Sequence, residues 1–165
     1  MTSSIAIVSD THMPRGERAL PDECASMCRE ADLIIHAGDL SEASILQTFE
    51  AFGPPVIAVR GNVDSEELQH RLPESHTLKV ESVAIGVIHD AGPRKGRLAR
   101  LRAAFPGTQA VIFGHSHLPL QEEEGDFQIF NPGSPTERRR SPCKSMGLAT
   151  VAGTKISFEL IDLGT

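Results

Sequence analysis

Seven side chains able to grip a metal ion stand just beyond the ends of five apolar runs. Asp10 and His12 follow the run over residues 4–9, and Gly38-Asp39 follows residues 32–36. Gly61-Asn62 comes after residues 56–59, His89 after residues 83–88, and Gly114-His115-Ser116-His117 after residues 110–113. The set holds two carboxylates, one amide and four imidazoles. A hydrophobic core has no use for that pattern, and a metal centre does. Two divalent ions about 3.5–4 Å apart need a bridging carboxylate within a mixed nitrogen and oxygen donor set. Asp10 and His12, two residues apart on an extended turn, can converge on one ion. Gly38 lets the backbone before Asp39 come close. Manganese is the preferred expectation, with zinc, iron, nickel or cobalt as further candidates. All-oxygen magnesium or calcium sites would not call for four histidines.

The elements that must position these groups can be read from the runs themselves. Short β-rich stretches bounded by glycine and polar residues read as buried strands. In open α/β sheets, ligands bind beyond the carboxyl ends of the strands. A first helix is expected over residues 21–30, with proline in its first turn. Ser41 reads as the N-cap of a second, burying Ile45, Leu46 and Phe49. Ser65 opens a short third helix. A basic helix over residues 94–104 turns Leu98, Leu101 and Phe105 inward and Arg97, Arg100 and Arg102 outward. Hairpins then pair residues 77–80 with 83–88, 118–123 with 127–130, and 146–151 with 155–161. The expected architecture is α/β: a single domain over 1–165, with two packed mixed β-sheets flanked by helices. Residues 131–144 form the one long loop.

Composition narrows the function classes. The chain has 165 residues, enough for one domain with a real core. No apolar stretch approaches the ~20 residues that span a bilayer, and the N-terminus lacks signal-peptide features. Three cysteines, an odd and sparse number, fit a reducing, cytoplasmic setting. Cys24 and Cys28 share helical spacing with Leu20, Met27 and Ala31, which makes them core rather than half of a zinc site. The net charge of −6 argues against nonspecific duplex binding. Bound divalent ions would make the cleft locally positive. With no Trp and no Tyr, base-stacking platforms are scarce, and no nucleic-acid module is evident.

A histidine at a strand end is commonly structural, and a Gly-Asp pair is commonly a turn. The specific signal is all of them in this order. Asp10-Thr11-His12, Gly38-Asp39, Gly61-Asn62-Val63-Asp64, His89 and Gly114-His115-Ser116-His117 resemble the motifs of the calcineurin-like metallophosphoesterases. Asn131-Pro132-Gly133-Ser134 resembles a loop in the small prokaryotic phosphodiesterase branch of that superfamily. The resemblance spans about residues 5 to 136. It implies an αββα sandwich with two divalent metal ions. Asp10, His12, Asp39 and His117 would hold the first; Asp39, Asn62, His89 and His115 the second. Asp39 would bridge, and Asp39, Asn62 and His89 would serve catalysis. The implied reaction is phosphodiester hydrolysis, favoured over monoester hydrolysis. A hydroxide held between the ions would attack phosphorus in line.

Two positions depart from the family pattern. Val63 stands where a leaving-group histidine is common, so no side chain is assigned as general acid. Asp90 stands where glycine is common; it is expected to contact a metal-binding histidine from behind or to cap a turn. His36 is expected to support the site rather than to ligate. Arg15, Arg94 and Ser134 are the expected substrate contacts. Arg138, Arg139 and Arg140 are read as steering an anion, making an oligomer contact, or facing solvent. The expected partner is a small phosphorylated substrate, with no membrane involved, and a homo-oligomer is compatible. Two rivals remain: a weak or inactive protein-binding scaffold on the same fold, and a nuclease. Loss of function in a scaffold should erode ligands, yet all seven stand. The acidic balance and short chain count against the nuclease.

Overall fold

The apolar runs form strands whose buried side chains divide between two cores with a period of two. In β1 (Thr2–Val8), Ile5 and Ile7 enter a central core, while Ala6 and Val8 enter an outer one. In β2 (Leu33–His36), Ile35 joins the central core and Ile34 the outer. Strands buried on both faces need helices outside them, which explains why the runs are continuous rather than alternating. The computed structural model describes residues 1–14, 16 and 18–165.

The first sheet has the order β10-β9-β1-β2-β3. Here β3 is Val56–Ala58, β9 is Lys144–Ala152 and β10 is Lys155–Gly164. The second sheet has the order β4-β5-β6-β8-β7. Its strands are β4 (Ser75–Val80), β5 (Val83–Ile88), β6 (Ala110–Ile112), β7 (Leu120–Glu124) and β8 (Phe127–Asn131). Each sheet is mixed. β1, β2 and β3 run parallel, as do β5, β6 and β8, while hairpin partners add antiparallel edges. Ile5, Ile7 and Ile35 of one sheet meet Ile85, Val87, Ile112 and Phe130 of the other in the central core. α1 (Asp22–Glu30) and α2 (Ala43–Glu50) cover the first sheet; α4 (Arg97–Ala104) covers the second. The expected sandwich of two mixed sheets between helices is what forms.

Register places the site. Val8 pairs with His36, and His36 with Ala58, so three parallel strands end abreast. Val87 pairs with Ile112 in the other sheet. All five ligand-bearing loops therefore leave at one rim. Cys24 and Cys28, on the inner face of α1, are fully buried in the core as expected.

Some element boundaries differ from expectation. Ser41 does not cap α2: its φ is 93°, its amide donates to Asp64, and Glu42 takes the cap position. Ser65 does cap α3 (Glu66–Arg71), accepting from Leu68 N at 3.3 Å. The basic helix begins only at Arg97, because Gly96 adopts a left-handed conformation. Arg97 is half-buried, whereas Arg102 is exposed and outward as expected. Their guanidinium carbons lie 5.0 and 5.5 Å from the ring centres of Phe113 and Phe127, covering that core with cation–π contacts. No helix among the described residues is long and apolar enough to cross a membrane.

Candidate metal centre

The rim loops turn sharply, and the strain falls on the candidate ligands. Asp10, His12, Asp39, His115 and His117 have φ of 57°, 46°, 62°, 73° and 61°. Residues with a Cβ avoid this left-handed region, so each costs roughly 1–3 kcal/mol that the surroundings must impose. The imposition is visible in the hydrogen bonds. Asp10 N donates to Gly38 O at 2.9 Å and His12 N to Asp39 O at 3.0 Å, tying the first two loops. Gly114 N donates to His89 O at 3.0 Å, tying the two loops of the second sheet. His115 N reaches across to Asp10 Oδ2 at 3.0 Å. Two glycines are obligatory here because of close approach. A Cβ on Gly61 would overlap the Asp39 carboxylate, and one on Gly114 would overlap the Ser9 hydroxyl.

Six of the seven candidate ligands fall into two groups of three: Asp10, His12 and His117, and Asp39, His89 and His115. Within each group the donor atoms all lie within 4.8 Å of one another. Asp10 Oδ1 lies 3.7 Å from His12 Nε2, 3.5 Å from His117 Nε2 and 3.8 Å from His89 Nε2. Asp39 Oδ2 lies 3.5 Å from His12 Nε2 and 3.1 Å from His89 Nε2. One oxygen of Asp39 thus sits between the two groups, while its other oxygen accepts Val63 N–H at 3.0 Å. Asn62, the seventh, places Oδ1 at 3.2 Å from both His89 Nε2 and His115 Nδ1.

These spacings fit metal binding. Two donors each ~2.1 Å from one ion lie roughly 3.0–3.4 Å apart, close to what is seen. Asp10 Oδ1 and His12 Nε2 are buried with no hydrogen-bond partner. Buried polar atoms are rarely left so, and a cation between them would satisfy both.

Electrostatics point the same way. Burial alone would lower the His89 pKa, but the hydrogen bond to Asp39 and the charges of Asp10 and Asp39 outweigh it and raise it to about 9. Burial likewise opposes ionisation of Asp39, and His89 with the Val63 amide overcomes this, lowering the carboxyl to about 2. His89 Nδ1 lies 2.7 Å from Ala37 O, an acceptor, so Nδ1 carries a proton and Nε2 is the nitrogen left for a metal.

The remaining expected residues are placed as follows. His36 is fully buried and supports the site. Its Nδ1 accepts Gly38 N–H at 3.1 Å, so Nε2 carries the hydrogen donated to Thr11 Oγ1, also at 3.1 Å. Burial pushes its pKa down to about 3 and keeps the ring neutral. Ser134 is not placed to touch substrate. It is 1% exposed, and its hydroxyl donates to Asp10 O at 2.8 Å, so it braces the first metal loop. Asp90 is exposed and accepts Gly92 N–H at 2.8 Å, which makes it a turn cap. Arg94 is exposed and lines neither cleft beside the centre. Arg15 lies outside the described residues.

Three contributors were missed. Asp64 accepts the amides of Asp39, Ser41 and Gly61 at 3.1, 2.8 and 2.7 Å, locking the Asp39 and Asn62 loops together. Asn131 donates to Gly114 O and Ser116 Oγ, both at 3.1 Å, fixing the turn that bears two histidines. Glu137 Oε2 faces His117 Nδ1 at 3.6 Å, and neither buried atom has a hydrogen-bond partner. Asp64 and Asn131 stand inside the 61–64 and 131–134 motifs, so the sequence carries their signal; for Glu137 it carries none.

Comparison with known proteins agrees with this geometry. Residues 4–154 match the calcineurin-like phosphoesterase superfamily domain. A probable metallophosphoesterase of Methanothermobacter thermautotrophicus is 35% identical, over 97% of this chain and 92% of its own. A phosphodiesterase of Methanocaldococcus jannaschii is 24% identical, over 78% of this chain and 82% of its own. In fold, Vps29 of Entamoeba histolytica complexed with Zn2+ superposes with a TM-score of 0.75 at 20% identity, covering 98% of this chain and 99% of that one. With its motif order, its rim geometry and this match over nearly its whole length, the chain belongs to the calcineurin-like phosphoesterase superfamily.

Proposed function

We propose that this protein hydrolyses phosphodiesters with two divalent cations, by in-line displacement at phosphorus with water as nucleophile. The carrying observation is Asp39 Oδ2 lying 3.5 Å from His12 and 3.1 Å from His89, one oxygen shared by two ligand groups. When bound, the cations would lower the pKa of water toward neutrality and polarise the phosphoryl oxygens. The chain's own residues do the positioning. Asp10, His12 and His117 would hold one ion, Asn62, His89 and His115 the other, and Asp39 would serve both. His89 keeps its coordinating nitrogen directed inward by donating Nδ1–H to Ala37. The exposed side chains of Asn62 and His115 mark where substrate enters. Val63 offers no proton, and its amide is already bound to Asp39. The leaving group therefore takes its proton from water or leaves as a low-pKa anion. Relatives named as phosphodiesterases support the diester preference.

A Vps29 of this fold holds Zn2+, so retained metal alone does not separate a hydrolase from a binding module. Turnover does. Manganese-reconstituted protein should hydrolyse a generic aryl phosphodiester, and Asp39→Asn or His115→Ala should abolish that activity. Unchanged turnover in either correctly folded variant would overturn the assignment.

A further inference from the structure

A cleft of about 390 Å³ runs from His115 along Ser116 and Leu118 to Arg139 and Arg140. It begins at a candidate metal ligand and ends in two guanidinium groups. Arg139 is not a freely solvated side chain. Its backbone is held left-handed at φ 46°, and its Nε lies 3.5 Å from Glu137 Oε2. Glu137 is fixed in turn by Arg18 Nη2 at 2.8 Å and by its own amide donating to Ser134 Oγ at 3.1 Å. Two guanidinium groups (Arg18 and Arg139) thus meet a single carboxylate, and Arg140 adds a third positive charge to the lining, a positive end to the cleft in a chain of net charge −6. Leu118, 41% exposed, gives one wall an apolar surface. A second cleft, about 260 Å³, lined by Asn62 and His89, is different in kind. There Arg60 donates to Leu72 O and shares the lining with Glu74 and Asp90, so no net positive charge faces a ligand.

From this asymmetry we infer that the arm of the substrate lying over Leu118 carries a second phosphate, received by Arg139 and Arg140. The inference rests on the phosphodiesterase reading and narrows it to diesters with an additional phosphate on one arm. Guanidinium groups suit phosphate because they donate in a planar fork. The aliphatic wall suits the sugar or base between the two phosphates.

The test compares two ligands that differ by one phosphate: thymidine 3′,5′-bisphosphate and thymidine 5′-monophosphate. Binding to manganese-loaded protein is measured by calorimetry at about 0.05 M ionic strength, where exposed charges are least screened. The bisphosphate should bind at least about tenfold more tightly. In the Arg139→Gln/Arg140→Gln double variant, checked for folding by thermal melting, the two affinities should come within about twofold. Equal affinities in the native protein, or a difference that survives the double substitution, overturns the subsite. Cleavage of the p-nitrophenyl ester of thymidine 5′-phosphate is followed in parallel. Its failure would refute the phosphodiesterase reading, while the binding difference would still decide the subsite.

Discussion

Replacing Asp64 by alanine removes the carboxylate that binds the amides of Asp39, Ser41 and Gly61. All three residues are buried, so water reaches these donors poorly. A hydrogen bond to a charged acceptor contributes about 1.5–3 kcal/mol, and an orphaned buried amide costs about 1–3. The three share one acceptor, and a water filling the vacated space would satisfy one or two of them, so the terms do not add. The expected loss is about 3–4 kcal/mol, or a fall of roughly 6–15 °C in Tm for a domain of this size. The same change frees the loops carrying Asp39 and Asn62, and support of this kind is worth roughly 10–100-fold in metal affinity. Asp64→Asn separates the contributions. With its oxygen at the Oδ2 position it still accepts from Asp39 and Gly61, but its NH2 meets the Ser41 amide donor to donor. It should lose roughly a third to a half of the alanine effect, about 1–2 kcal/mol. The assay is thermal melting with and without manganese, alongside metal titration against a chelator. A stability within about 1 kcal/mol of the native protein would refute the hydrogen-bond reasoning. A large stability loss with native metal affinity would refute the positioning role.

His89, raised to about 9 from an ordinary value near 6.5, makes metal uptake depend on pH. Protonation of His89 stabilises the fold fully below pH 6.5, and that contribution is lost as pH rises through about 9. A cation needs the neutral ring, so affinity should rise by up to about tenfold per pH unit between 6.5 and 9; a flat profile by chelator competition refutes this. Glu137→Gln should weaken metal binding about 10–100-fold, because a carboxylate behind His117 strengthens it as a ligand and an amide does so poorly. Glu137→Asp, too short to reach, should behave like Gln, and native affinity in both would show that Glu137 serves only the loop.

The ligand set was legible because each member is a polar residue interrupting an apolar strand end. The strands were legible because burial on both faces forces long β-branched runs. The supporting network was harder to read. Ser134 looked like a substrate contact because hydroxyls near phosphate sites commonly are, but sequence does not reveal that Asp10 O lies across from it, 124 residues away. Ser41 looked like an N-cap from local preference, and the long-range Asp64 carboxylate took its amide instead. Glu137 sits in a stretch of proline, serine and arginine that reads as plain loop. Local rules find what a residue can do; only the fold fixes which distant group it does it with.

The centre is expensive for the fold, and that cost bears on whether it holds a cation. Five candidate ligands sit in left-handed backbone, at roughly 1–3 kcal/mol each. Asp10 Oδ1 and His12 Nε2 add the cost of buried, unpartnered polar atoms. A packing surface gains nothing from these features, since Gly at the same positions would relieve the backbone strain and an apolar side chain would remove the unpartnered polar atoms. They repay their cost when a cation is held between the side chains, because binding free energy then becomes folding free energy. Exposure follows the same logic. Asp10, Asp39 and His12 are almost wholly buried, as holding an ion requires, whereas Asn62 and His115 open to solvent, as admitting a substrate requires. A protein-binding role would place its determinants on an exposed face. Here strain, burial and charge all converge on one rim, and the two clefts that flank it lead away from the ligands themselves.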